Sequence, residues 1–109
     1  MIPSAATLKR YGLTEREFFE MARNQNDLCP ICGQLPSRWV VDHEHVPGWK
    51  LRSPQNRRKY VRGLVCWYCN WRFLAKGITV ERACNLADYL LAYQRRKTPV
   101  TGPTRAGGG

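Results

Sequence analysis

Between Glu44 and Glu81 the chain has no aspartate or glutamate, while Lys50, Arg52, Arg57, Arg58, Lys59, Arg62, Arg72 and Lys76 all fall inside that interval. Over the 109 residues, 18 Lys and Arg stand against 8 Asp and Glu, a formal charge of +10. A merely solvated surface mixes its signs, so so local an imbalance points to a polyanionic partner. Apolar runs are scarce too. None approaches the ~18 residues of a membrane span, and no basic amphipathic helix accompanies the charge, which places nucleic acid ahead of a membrane surface. The N-terminus MIPSAATLKRYG lacks the apolar stretch of a secretory signal. The expected location is the cytoplasm, where thiols stay reduced. Histidine is scarce as well: there are two, His43 and His45, both in the stretch VVDHEHV beside Asp42 and Glu44.

What is present suggests one small α+β domain over residues 1–97, with residues 98–109 (TPVTGPTRAGGG) as a disordered Gly/Pro/Thr tail. A chain this short often needs a metal or disulfides to hold its core. Thr14-Glu15-Arg16-Glu17 matches a capping box, and Phe18, Met21 and Ala22 continue it at helical spacing to about residue 25. Trp39-Val40-Val41 is a short strand running into the DHEH stretch, and Tyr60-Val61-Arg62 suits its return. Between them, Lys50 to Tyr60 is expected as an exposed loop or hairpin extension. Asn70 could cap a helix over Trp71 to Lys76, ended by Gly77. Thr79 could cap a last helix to about Arg96, with Val80, Ala83, Ala87, Leu90 and Leu91 on its apolar face.

Cys29-x-x-Cys32 and Cys66-x-x-Cys69 are two identical pairs. A C-x-x-C turn lets two thiolates bite one face of a tetrahedral ion, and two such turns complete a closed structural zinc site. A redox pair would need no twin, so a thiol redox protein ranks far behind. The metal would clip a long insert and staple a core over residues 29–77. Cys84 is left over on an apolar helical face, where a buried thiol is the ordinary expectation. Neither histidine is needed for that zinc.

A histidine pair beside acids could be no more than a polar turn after a strand, and Asn70 alone could be no more than a helix cap. The zinc, however, would draw the strand bearing Asp42 and His43 toward the helix start bearing Asn70. Side-chain oxygens suit a hard cation such as Mg²⁺, and a neutral imidazole suits a general base acting on water.

CPICG…VVDHEHV…VRGLVCWYCN resembles the recombination endonuclease VII type of the HNH, or His-Me finger (ββα-metal), nucleases, over roughly residues 8 to 96. The motifs are specific: two C-x-x-C pairs, DH-x-H between them, VRGL before the second pair and Asn directly after it. The resemblance implies a zinc-stabilised ββα-metal core with flanking N- and C-terminal helices. It implies a DNA endonuclease leaving 5′-phosphate and 3′-hydroxyl ends, with His43 as base and one divalent ion, Mg²⁺ or Mn²⁺, held by Asp42 and Asn70. His45 would steady a phosphate, help order the site or face solvent, and Arg62 would contact the scissile phosphate or be one more basic surface residue. No small-molecule cofactor is implied. Relatives are common in bacteriophages, which implies a phage or prophage protein acting in a bacterial host.

Two features depart from the family pattern. The stretch KLRSPQNRRKY is longer than the usual turn and is expected to contact DNA through Arg57, Arg58 and Lys59. The long C-terminal portions through which junction-resolving relatives form dimers have no counterpart in this sequence, leaving monomer and dimer both open. The competing function is a non-catalytic, zinc-stabilised nucleic-acid-binding module, which would not require Asp42, His43 and Asn70.

Overall fold

Ser4 accepts the Thr7 N–H and opens α1 (Ala5–Arg10). A computed structural model of the chain describes residues 1–97; the tail expected to be disordered lies outside the described residues. Helix α1 goes unanticipated from sequence because six residues are too few to display a period. Gly12 follows it at φ +72°, and a Cβ there would lie 2.5 Å from the Pro54 carbonyl oxygen, so only glycine fits both the turn and the close approach. The capping box forms as expected. Glu17 N–H donates to Thr14 Oγ1 and Thr14 N–H to Glu17 Oε1, each at 3.1 Å, at the head of α2 (Glu15–Asn24).

Glu17 has a second partner, because Arg58 Nη2 donates to its other oxygen. With the Arg58 guanidinium first and the Thr14 N–H second, its carboxyl is pulled down to about 2. A carboxyl depressed on folding adds stability above its unfolded pKa, near 4.5, and loses it as pH falls through about 2. Thermal unfolding of wild type and Glu17→Gln across pH should therefore show a constant gap above about pH 5 that closes toward pH 2. A gap of the same size at pH 2 would rule out the carboxylate's charge as its source.

β1 (Trp39–His43) pairs antiparallel with β2 (Val61–Cys66) in a two-stranded sheet. Both strands run further than expected, β1 through Asp42 and His43 and β2 into the second cysteine pair. Val41 opposes Leu64, and on that face they pack with Leu8, Leu13, Phe18 and Ala22. Val65, opposite Val40, turns to the other face and joins Cys29 and Cys69 in a second small cluster. The cysteines are thus part of a core as well as a cluster that could hold a metal ion. Gln25 seals β2: its amide donates to Leu64 O at 2.8 Å and accepts the Leu64 N–H at 3.0 Å.

The basic segment is not a loop. Ser53 caps α3 (Pro54–Arg58), with Pro54 in its first turn, after a 3₁₀ turn at Trp49–Leu51. Ser followed by Pro is a helix-start signal in its own right; the run of charge around it obscured that signal. Asn70 does not cap a helix either. Cys66 Sγ accepts the Cys69 N–H at 3.3 Å and takes the cap position, so α4 (Trp67–Arg72) begins earlier and Asn70 lies inside it. The order β1, β2, α4 gives the small α+β fold that the sequence implied.

The chain divides into two compact units, Met1–Gly77 and Ile78–Gly109. Within the second, α5 (Val80–Lys97) starts where Thr79 Oγ1 accepts the Arg82 N–H, as expected. None of its residues is buried, and Cys84, expected to be a buried thiol, is exposed. Among the described residues no helix is long and apolar enough to cross a membrane.

Candidate functional site

The register slips at the end of β1. Asp42 opposes Gly63 and His43 opposes Val61, which leaves Arg62 as the extra residue of a β-bulge. Bulges re-aim side chains, and here the consequence is an ion pair. Asp42, only 6% exposed, accepts Arg62 Nε at 2.8 Å on Oδ2 and Nη2 at 2.9 Å on Oδ1. The Asp42 carboxylate in turn raises the pKa of Arg62. A buried carboxylate needs such a partner. Two carboxylate oxygens offer about four lone-pair sites, so the bidentate arginine leaves Asp42 able to accept more. Asp42 and Arg62 line an open cavity of about 420 Å³ together with Gln25, Pro30, Ile31 and Leu74.

His43 is half-buried. Its ring stacks on Trp49, with centroids 3.8 Å apart and planes within 3°. Its Nδ1 lies 2.9 Å from the Glu44 carbonyl oxygen. A carbonyl only accepts, so Nδ1 is the donor, and in the neutral ring Nε2 is the nitrogen with the lone pair. Trp49 is itself held by Arg57, which sits 5.5 Å from its ring and donates Nε to its carbonyl at 3.2 Å. Trp49 is a site residue that sequence reasoning missed. Its only signal was an aromatic directly after the Pro47-Gly48 turn. His45 is exposed, its ring 5.6 Å from that of His43.

Asn70 is half-buried in α4, next to the buried Cys69, and α4 packs against both strands. Its side-chain amide makes no hydrogen bond among the described residues.

The remaining candidates differ sharply from one another. Arg57 donates to the carbonyls of Trp49, Arg10 and Lys50 at 3.1 to 3.2 Å. Arg58 donates to the Gly12 carbonyl at 2.7 Å and to Glu17. Both guanidinium groups therefore fasten α3 to the α1–α2 corner. Lys59 is exposed and has no partner among the described residues.

Cys29, Cys32, Cys66 and Cys69 bring their four Sγ atoms within 4.8 Å of one another, Cys32 and Cys66 at 3.9 Å. The edge of a tetrahedron with ~2.3 Å Zn–S bonds is about 3.8 Å, so the cluster could hold one zinc ion. The thiols influence each other. Burial raises Cys69 first, and contacts with the other three sulfurs raise it further. Cys29 is raised by burial, but backbone N–H groups of Cys66, Cys32 and Ile31 together outweigh this and bring it to about 7. Amide dipoles thus favour a thiolate while neighbouring sulfurs resist more than one. A cation resolves that conflict.

One C-x-x-C turn precedes β1 and the other spans the junction of β2 and α4, with Asp42 and His43 at the end of β1. The sequence model of the recombination endonuclease VII family matches residues 4–92. The chain belongs to the recombination endonuclease VII family. No curated protein and no solved structure matches it significantly. Membership of the endonuclease VII family implies a nuclease acting on DNA, in keeping with the acid-free, cationic middle of the chain.

Proposed function

We propose that this endonuclease VII family member is an HNH-type, metal-dependent DNA endonuclease with its active site at the bulged end of β1. The observation that carries this is the state of His43, whose ring is stacked on Trp49 and tied at Nδ1 so that Nε2 is free, next to a nearly buried carboxylate. A pure binding module has no use for an imidazole held in one tautomer.

In this scheme His43 Nε2 takes a proton from water as the water oxygen attacks phosphorus; the bond to the 3′ oxygen breaks and that oxygen takes a proton from solvent, leaving 5′-phosphate and 3′-hydroxyl ends. Asp42 and Asn70 supply oxygen donors of the kind a hard ion prefers, one with spare lone pairs and one whose side chain has no hydrogen-bond partner among the described residues. They would hold one divalent ion, Mg²⁺ or in its place Mn²⁺. When bound, that ion supplies charge stabilisation to the phosphoryl group and the departing oxygen. Arg62, 44% exposed at its side chain, can turn toward the scissile phosphate while still anchored beside Asp42. His45 and Lys59 are exposed to hold flanking phosphates, and Arg57 and Arg58 hold α3 in place beneath Lys59. The cysteines hold one structural zinc. The family match spans residues from both compact units, which supports treating residues 1–97 as a single endonuclease domain. The same family resemblance supports action in a bacterial host's cytoplasm as a phage or prophage product.

The test is the chemistry of the ends. Supercoiled plasmid nicked by the protein with Mg²⁺ should be resealed by DNA ligase, which requires 5′-phosphate and 3′-hydroxyl. Nicks that resist ligase would refute the proposed direction of attack. Binding without any nicking would favour the non-catalytic module.

A further inference from the structure

The outward side of α4 carries a feature that this chemistry does not use. Trp67, Tyr68 and Trp71 are 45%, 54% and 47% exposed, three large aromatic residues on one six-residue helix. Exposed aromatics in such a cluster mark a contact surface. Trp67 and Trp71 lie one turn apart with parallel rings, centroids 5.8 Å apart. The Lys76 ammonium sits 5.6 Å from the Trp71 ring.

Trp67 and Tyr68 also form one wall of a cleft of about 530 Å³, whose other wall is Leu35, Pro36 and Arg38. That volume falls in the ~300–1,000 Å³ range of small-ligand sites. The two walls are joined by the Trp67 N–H, which donates to the Arg38 carbonyl at 2.9 Å. Arg38 is exposed, and its guanidinium has no partner among the described residues. Neither lining segment contains an acid, from Cys32 to Arg38 or from Cys66 to Tyr68.

We propose that this cleft binds an unpaired nucleotide, its base flat against Trp67 and its phosphate at Arg38. An indole face with an unpaired cation beside it matches a base with its attached phosphate. In a duplex that face is covered by neighbouring bases, so the cleft takes an unpaired one. A second copy of this chain, itself at +10, is a poor occupant for a cationic cleft. The inference rests on the nucleic-acid reading above and adds to it a subsite outside the catalytic residues.

The experiment compares binding of a labelled oligothymidylate and of a blunt duplex of equal length by fluorescence anisotropy. It uses zinc-loaded full-length protein without any added catalytic divalent ion. Because no cleavage is needed, failure of the His43 chemistry would leave the result untouched. Trp67→Leu should weaken binding of the single strand by about 5- to 100-fold, the loss expected for one base–aromatic stack. Its binding to duplex should stay within about twofold, since phosphate contacts made elsewhere carry it. Trp67→Phe should recover most of the loss. Arg38→Gln, which leaves the apolar wall intact, should also weaken single-strand binding selectively; it carries the test if Trp67→Leu does not fold. Equal losses on both DNAs, no loss on the single strand, or a change confined to self-association of the protein would each overturn the proposal.

Discussion

His43→Ala should lower the rate of plasmid nicking by about 10²- to 10⁴-fold, the contribution of a positioned general base, while zinc content and DNA affinity stay as in wild type. Several observations support a clean separation. His43 is only half-buried; its ring stacks on Trp49, lies near the rings of Tyr11 and His45, and bonds one backbone carbonyl. Its loss deletes no member of either buried cluster. The zinc candidates are all cysteine, and the exposed cations lie elsewhere. Single-turnover cleavage and a gel-shift titration, run on one preparation, would check both halves. A variant cutting at the wild-type rate would remove His43 from the mechanism, whereas equal loss of binding and cutting would make it a structural residue.

Removing the zinc proposed for the four cysteines should have the largest effect on stability. Cys29→Ser, or prolonged treatment with a strong zinc chelator, is expected to abolish cooperative thermal unfolding in the Met1–Gly77 unit. The second cluster consists of Cys29, Val65 and Cys69, with Cys66, Phe73 and Leu74 packed against it. Without the metal that leaves one buried aliphatic side chain and two thiols, worth only a few kcal/mol by burial. Zinc binding to small cysteine sites is worth about 10–16 kcal/mol, comparable with the ~5–15 kcal/mol net stability of a whole domain. β1, β2 and α4 would lose the clamp that joins their ends, and the Asp42 and His43 positions with it. Circular dichroism melts with and without chelator, followed by zinc re-addition, would measure this. Unchanged melting after verified zinc removal would show that the hydrophobic contacts suffice.

The four-cysteine cluster, the capping box and the last helix were legible because each is written in local spacing: C-x-x-C twice, Thr14 to Glu17, and the run after Thr79. Asp42 and His43 were legible as candidates for the same reason. Their surroundings were not. The bulge that gives Arg62 to Asp42 depends on how two distant strands register, and no local pattern encodes it. Trp49 reaches His43 only because a 3₁₀ turn folds back after Gly48, at φ +69°. Arg57 and Arg58 look in sequence like part of a phosphate-binding run, yet besides the nearby carbonyls of Trp49 and Lys50 their donors meet the carbonyls of Arg10 and Gly12 and the carboxylate of Glu17, more than forty residues earlier. Charge density in a sequence thus overstates the charge left free. Asn70 shows the opposite error. As a favoured cap residue it suggested a helix start, but the thiol of Cys66 already held that place.

The most direct measurement is plasmid relaxation by wild type and Asp42→Asn across a series of Mg²⁺ concentrations, with zinc content matched. The substitution keeps the size of the side chain and an oxygen that can still accept from Arg62, and it removes the charge a divalent ion requires. Wild type should relax the plasmid only with added divalent ion, and Asp42→Asn should bind the DNA yet leave it supercoiled at every concentration. Relaxation by wild type in the absence of divalent ion, or by Asp42→Asn at the wild-type rate, would contradict a metal-dependent active site at the end of β1.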